Sequence, residues 1–490
     1  MEHRLAKSVF WIVWSRGVLQ VISFISTLVI TRLLSPQEFG LIALTSFWIG
    51  TVALLSEMGL GDTIVQFRDL EDGELNVCFW LALGVAITGY LGLYIAAPLI
   101  ASWLTVPALA KVLRVAGFSL PLTAIATVPD SLLRRGLKLD KISQAEILST
   151  IAVIPVVLGM AWAGAGVWAL VAGLLLKPMI QGLATFWFVQ WWPGWQLGSK
   201  RMGVLLNFSL TTLGARICWS MYQQTDTLVL GKIAGEVAVG TYSVAKELAT
   251  LPLSKVAMVL NQLAFPVMAE AQTNREALRN SLLRSIRLLT WATFPLCTGL
   301  LLVASDFVNV ALTAKWQSAT LVLQMLCVYA LFRSFDVLLP PLLIARYRTK
   351  LLLIFNLITL GIMPLAFLVG ALWSGPLGTA AAWTIVYPLV RIKLVHEALH
   401  EAGISWGLFW EQLRPPTTAT LVMAAAVWAV RWHLLSYGDS FAFTRLILLI
   451  LTGMTSYGAV FLAIGGPTRK EFQQVAGWML RPGHVRSAHL

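Results

Sequence analysis

Apolar runs of eighteen residues or more recur along the whole of this chain, and each is long enough to cross a hydrocarbon core of about 30 Å as a helix. That feature closes off most folds, because only helices and closed barrels satisfy their backbone N–H and C=O groups inside lipid. Charge is scarce to match: 12% of the residues are charged and 58% hydrophobic, where an ordinary domain carries roughly a quarter charged residues. Taking Gly, Pro and charge as punctuation predicts helices over 8–34, 39–61, 75–104, 109–133, 142–163, 166–192 and 202–230. A further seven are predicted over 239–268, 278–305, 319–344, 351–373, 378–399, 416–432 and 441–465. The expected fold is an all-α polytopic membrane protein of about fourteen transmembrane helices.

The formal charge of +13 lies in short Lys and Arg clusters between apolar runs rather than on one basic face, which excludes a nucleic-acid partner. Cytoplasmic loops of membrane proteins keep the positive charge. One set of segments holds Arg4 and Lys7, Arg68, Arg134 to Lys141, Lys200 and Arg201, then Arg275 to Arg287, Arg346 to Lys350, Arg391 and Lys393, Arg414, and Arg469 to Arg486. The opposite loops hold little beyond Arg32, Lys111, Lys232, Lys315, Arg431 and Arg445. Both termini are expected to be cytoplasmic, which requires an even number of spans. Residues 1–7 lead into a long segment without a small-residue cleavage site, so the first helix is expected to remain. Cys78, Cys218, Cys297 and Cys327 sit singly in apolar runs, where a thiol behaves as a small hydrophobe and no disulfide framework is expected.

Sliding the sequence by two hundred residues lays the first helix on the seventh without gaps. Arg16 falls on Arg216, Thr27, Leu28 and Val29 on Thr227, Leu228 and Val229, Arg32 on Lys232, and Gly40 on Gly240. Six helices separate the copies, so they cross in the same direction, as parallel repeats about an axis along the membrane normal do.

Residues Thr31 to Gly40, reading TRLLSPQEFG, resemble the turn after the first helix in Wzx-type flippases of the polysaccharide-transporter family. Asp226, Leu228, Leu230 and Gly231, then Gly240, Tyr242, Ser243 and Ala245, Leu251 and Pro252, and Phe265 and Pro266 are similar to that family's seventh and eighth helices. The resemblance implies the fold of the multidrug, oligosaccharidyl-lipid and polysaccharide exporter superfamily: two six-helix lobes, here 1–199 and 200–403, related by a pseudo-two-fold axis around a central cavity. Residues 404–490 would add two helices and a cytoplasmic tail. It also implies a function in the bacterial inner membrane, turning an undecaprenyl-diphosphate oligosaccharide from the cytoplasmic to the periplasmic leaflet, with membrane lipids and a polysaccharide polymerase as partners and no cofactor.

An Arg near the bilayer centre costs about 2.5–3.5 kcal/mol on insertion scales, so charges inside spans face cavities and serve function. Arg16, Arg216 and Arg333 stand in predicted helices, and guanidinium groups match diphosphate oxygens bidentately. The competing reading is that each pairs locally and fixes packing; Asp336, three residues from Arg333, is placed for that. Lys246 and Lys255 either line the cavity or snorkel. Asp226, Asp336, Glu57, Asp130 and Glu247 are candidates for ion coupling, and Asp226 equally for a cap or a pair with Lys232. Of the 21 Trp residues, Trp11, Trp14, Trp191, Trp192, Trp195, Trp406 and Trp410 fall at predicted interfaces as an aromatic belt. Trp219, one turn from Arg216, is the candidate for sugar stacking, against plain packing.

His396, Glu397 and His400 spell H-E-x-x-H, which puts two zinc ligands and a glutamate base on one helical face. An intramembrane metalloprotease is therefore the rival from the enzyme class. It lacks a third ligand in a nearby span, which a catalytic zinc needs, and a polar helix end looks the same. A many-spanning glycosyltransferase or polymerase would carry a large polar loop, and every loop here is short. A drug exporter of the same superfamily is the remaining alternative, and a cationic cavity suits an anionic lipid better than a cationic drug. No catalytic or metal-binding residue is assigned.

Overall fold

Local signals start and stop each helix, and the computed structural model follows them over residues 19–67, 69–195, 202–270, 275–346, 348–435, 441–466 and 468–469, the residues described below. Helix α1 (Leu19–Leu33) ends at the turn that carries the flippase-like motif. Ser35 there caps α2 (Pro36–Glu57), with Pro36 in the first turn. The Ser35 amide donates to Glu38 Oε2 at 2.6 Å while the Glu38 amide donates back to Ser35 Oγ at 3.4 Å, a reciprocal capping box. The motif Ser-Pro-Gln-Glu is thus a helix start.

The remaining elements are α3 (Leu60–Gln66), α4 (Asp72–Leu104), α5 (Pro107–Ala116), α6 (Ser119–Arg135), α7 (Leu139–Trp162) and α8 (Val167–Val189). They are followed by α9 (Met202–Glu270), α10 (Arg275–Phe307), α11 (Ala319–Asp336), α12 (Leu339–Ala345), α13 (Thr349–Ala381), α14 (Tyr387–Glu401), α15 (Trp406–Leu435) and α16 (Ala442–Ile464). No strand occurs among the described residues. Two long helices fold back at a glycine: α9 at Gly235, φ 78°, and α13 at Gly375, φ 55°, a conformation open to glycine because it has no Cβ. Ten segments are long and apolar enough to cross a membrane, and the two that break at those glycines each supply two crossings. With α1 and α15 they make fourteen among the described residues, as the sequence predicts. The largest shift of a boundary among the described residues is in the thirteenth helix, which was expected from Pro416: α15 begins at Trp406, where the Leu408 amide donates to the Ser405 hydroxyl at 3.3 Å. A serine cap ten residues upstream outweighs the proline pair as a start signal.

The described residues up to Gly240 form one compact unit and those from Thr241 a second. Within the first, the start of α2 packs against α9 just beyond Gly235. A Cβ added at Gly40 would overlap the carbonyl oxygen of Glu236, and one added at Gly240 would overlap that of Pro36. Both pairs are related by the same shift of two hundred residues, Gly40 to Gly240 and Pro36 to Glu236. The contact is therefore reciprocal, as two equivalent segments meeting about a two-fold axis must be. Gln37 Nε2 adds a hydrogen bond to Glu236 Oε1 at 3.0 Å.

The second unit closes around a buried ion triad. Asp306, at the end of α10, is 1% exposed; Arg445 of α16 donates from Nε to its Oδ1 at 2.6 Å, and Arg431 of α15 stands 3.7 Å from Oδ2. Arg431 also donates to the Leu302 carbonyl at 2.6 Å. The two arginines that break the sparse-charge pattern of their loops are thus counter-ions, fastening the last helix pair to α10 beside an apolar cluster of Val303, Met423, Val427, Leu446 and Leu449.

Two stability predictions follow from this packing. Gly40→Ala and Gly240→Ala should each lower stability by about 1–3 kcal/mol, the usual cost of overpacking, read as a lower melting temperature of the purified protein. Asp306→Asn should cost about 3–5 kcal/mol, as removal of one member of a buried pair does; Asp306→Asn combined with Arg445→Met should recover part of the loss.

Candidate functional site

The second unit gathers polar and aromatic side chains from four helices inside otherwise apolar segments. α11 supplies Tyr329, Arg333 and Asp336 on one face, at spacings of four and three residues that share a side of a helix. α14 supplies Tyr387 and Arg391, again four apart. Between α13 and α14 the chain widens into a π turn, Ala382–Val386, a feature often found at functional positions. The turn carries Trp383, which is fully buried against Tyr329 (4.7 Å between ring centroids), Phe367 (5.0 Å) and Tyr387 (5.3 Å).

Asp336 anchors the polar side of this cluster. The Tyr387 hydroxyl donates to its Oδ2 at 2.6 Å, and Arg391 donates to its Oδ1 from Nε at 2.9 Å and from Nη2 at 2.6 Å. Arg391 Nη1 donates to Asn356 Oδ1 of α13 at 3.1 Å, so the guanidinium, 4% exposed, has its fork filled. It lies inside α14, as the predicted helix over 378–399 has it, but is buried in an ion pair rather than exposed with the basic cluster it was grouped with.

Two more cations rest on aromatic faces. Lys246 of α9 holds its Nζ 5.1 Å from the Trp383 ring and 5.8 Å from that of Tyr242. Arg333 stands 5.8 Å from the Tyr329 ring and donates from Nη1 to the Tyr329 hydroxyl at 2.6 Å. Such contacts contribute about 0.5–1 kcal/mol at exposed sites and about 2 or more when desolvated. They keep a charge oriented on an aromatic face. Both side chains remain half-buried and accessible, so the cluster can present positive charge to an anion while Asp336 and Arg391 brace the helices behind it.

The other expected site residues are spread out. Lys255 is half-buried on α9, nine residues beyond Lys246, and Glu247 is exposed. Asp226, in the first unit, is fully buried and accepts from the Thr227 amide at 2.7 Å; Lys232 donates to the Trp103 carbonyl. Glu57 lies exposed at the end of α2. Asp130 takes Arg134 Nε at 2.6 Å, one helical turn away. Arg16, with Trp11 and Trp14, lies outside the described residues, as do the side chains of Arg216 and Trp219 on the described helix α9. Trp192, Trp195 and Trp410 are exposed, in keeping with a belt. In the H-E-x-x-H segment, His396 Nδ1 accepts the Trp406 indole N–H at 2.9 Å and the His400 carbonyl accepts from Arg275 at 3.2 Å. No group of three or more His, Cys, Asp or Glu arranged to hold a metal occurs among the described residues.

Comparison with known proteins places the chain. A family model described as "Polysaccharide biosynthesis protein" matches residues 29–321. The lipopolysaccharide biosynthesis protein WzxC of Escherichia coli (strain K12) is 25% identical over 73% of this chain and 73% of its own length. The teichuronic acid biosynthesis protein TuaB of Bacillus subtilis (strain 168) is 22% identical over 88% of each. Among solved structures, the lipid II flippase MurJ in an inward closed conformation superposes with a TM-score of 0.75 at 15% identity, covering 91% of this chain and 97% of its own. At that identity the likeness is one of fold.

The Arg391 fork gives the site's own prediction. Arg391→Lys keeps the charge but not the planar geometry, and should cost about 1.5–3 kcal/mol, the range for hydrogen bonds to charged groups. The measurement is the melting temperature, with Arg391→Lys falling below the parent chain.

Proposed function

The chain belongs to the polysaccharide biosynthesis protein family, and from that premise we propose that it is a flippase for lipid-linked oligosaccharides. It transports without breaking a bond. The substrate is an undecaprenyl-diphosphate repeat unit, moved from the cytoplasmic to the periplasmic leaflet of the bacterial inner membrane by alternating access. The lobes 1–199 and 200–403 are its moving parts, and both termini are cytoplasmic. The relatives named for lipopolysaccharide and teichuronic acid synthesis support a polymer precursor as cargo. The Wzx-type resemblance of residues 31–40 agrees with the family match.

The observation that carries this reading is the cluster of the second unit. Lys246 and Arg333 keep positive charge on aromatic rings inside helices of span length, and an ionisable group so placed is a functional one by default. A diphosphate supplies the matching anion, and guanidinium and ammonium donors to it form charge-assisted bonds. Arg16 and Arg216, equivalent in the repeat, are further candidates for headgroup recognition, as are Lys255 on α9 and, for the sugar, Trp219. Asp226, Asp336, Glu57 and Asp130 are the carboxylates from which a coupling ion would be chosen.

A reconstituted flipping assay with a fluorescent undecaprenyl-diphosphate oligosaccharide tests the proposal. Arg16→Ala, Arg216→Ala, Lys246→Ala and Arg333→Ala should each slow transfer roughly ten- to a hundredfold, matching about 1.5–3 kcal/mol for one lost charge-assisted hydrogen bond. Melting temperatures should show each variant folded, with Lys246→Ala and Arg333→Ala losing only about 0.5–2 kcal/mol, the cation–π contribution. Lys in place of Arg16 or Arg216 should restore part of the rate, since charge survives and the bidentate fork does not. Well-folded variants with unchanged flipping would sink the headgroup assignment.

A further inference from the structure

The first unit carries an apolar groove of about 640 Å³ between α2 and α4 that the headgroup chemistry does not use. We propose that this groove is the track for the polyprenyl chain of the substrate, an inference that rests on the flippase reading and adds to it where the tail runs.

Length is the first argument. The α4 wall extends from Trp80 to Ile100, twenty steps along the helix, or about 30 Å at 1.5 Å per residue. That equals the hydrocarbon thickness of a bilayer. A phospholipid acyl chain ends near the midplane, after about half of that distance, so it fills one half of such a groove. A polyprenyl chain is long enough to follow it through both leaflets.

Chemistry is the second. No charged side chain lines the groove, and of its hydrogen-bonding side chains Thr88, Ser56 and Trp80 are turned back into the protein, which leaves the buried indole N–H of Trp48 as the unpartnered donor of its lining. The Thr88 hydroxyl donates to the Gly84 carbonyl at 2.9 Å, the Ser56 hydroxyl to the Val52 carbonyl at 2.9 Å, and the Trp80 indole N–H to the Gly194 carbonyl at 3.0 Å. A sugar or phosphate would lose its whole hydration shell here for a single indole donor; a hydrocarbon chain loses nothing.

The glycines are the third. At Gly89 a Cβ would meet Val52 Cγ1 at 2.6 Å, so this residue lets α2 approach and closes the floor. Gly84 and Gly92 line the same groove and have no heavy atom within 4 Å of a built Cβ. Side chains there would meet no protein atom at that first step and would occupy the groove. Open helix glycines also occur outside the groove, at Gly159 and Gly361; what Gly84 and Gly92 add is that the absence of their side chains keeps the groove clear along α4.

The test uses the full chain in lipid nanodiscs and two photoreactive probes: undecaprenyl diphosphate with a diazirine in its tail, and a diacyl phospholipid with a diazirine in one acyl chain. The prenyl probe should label peptides of 80–100, and unlabelled undecaprenyl diphosphate should compete. Gly84→Leu and Gly92→Leu should cut that labelling roughly tenfold, an effect of about 1.4 kcal/mol, with Gly92→Ala intermediate. Gly159→Leu and Gly361→Leu, at helix positions equally open to a Cβ but outside the groove, should leave it unchanged. Melting temperatures confirm that each variant is folded. Equal labelling by the phospholipid probe without competition, or prenyl labelling confined to other helices, overturns the track and leaves the flippase reading standing. A parent chain that takes up no prenyl probe anywhere overturns both.

Discussion

A charge inside hydrocarbon must meet its counter-charge or its hydrogen-bond partners within the protein, and the second unit is organised by that demand. Asp306 draws Arg445 and Arg431 to itself from the last two helices. Asp336 draws Arg391 and Tyr387 from α14, and Arg391 in turn draws Asn356 from α13. Each carboxylate therefore fixes the positions of helices far apart in sequence. The surrounding Leu, Val and Phe contacts are abundant but alike, and apolar side chains gain little by leaving lipid for one another. The polar joints select among packings that hydrophobicity alone would leave close in energy.

The same constraint explains what could be read in the sequence. Lipid sets the length of a crossing, so the fourteen helices and the glycine breaks at Gly235 and Gly375 were legible in runs and punctuation. The capping box at Ser35 and Glu38 was visible as a family motif. Lys246, Arg333 and Asp336 stood out because charge is rare inside a span, and the structure brings all three into one unit. Asp306 escaped notice because it falls one residue past the predicted end of its helix, where a charge looks ordinary. Arg391, though inside the predicted helix over 378–399, was read with the basic cluster around Lys393, where a positive charge also looks ordinary. Tyr329, Trp383 and Tyr387 could not be told from other aromatics, because their role depends on which helix faces they share and on a π turn that no local pattern announces. The match of Arg431 and Arg445 to Asp306 was out of reach, since nothing local ties residues more than a hundred positions apart.

The repeat is legible in two independent ways. The two-hundred-residue shift aligned Gly40 with Gly240 by identity, and the fold brings those two glycines to a reciprocal backbone contact. Weak identity became a geometric statement: positions equivalent in sequence meet each other, which chance matches have no reason to do.

The ion triad also sets a schedule. Asp306 lies 139 residues before Arg445, so a ribosome adding about 5–20 residues per second completes α10 roughly 7–28 seconds before the second arginine exists. For most of that interval, until Arg431 is made, the carboxyl has neither of its counter-ions. It stays near the interface until α15 and α16 enter, and the arrival of the last helix pair is then the step that lets α10 settle at its final depth.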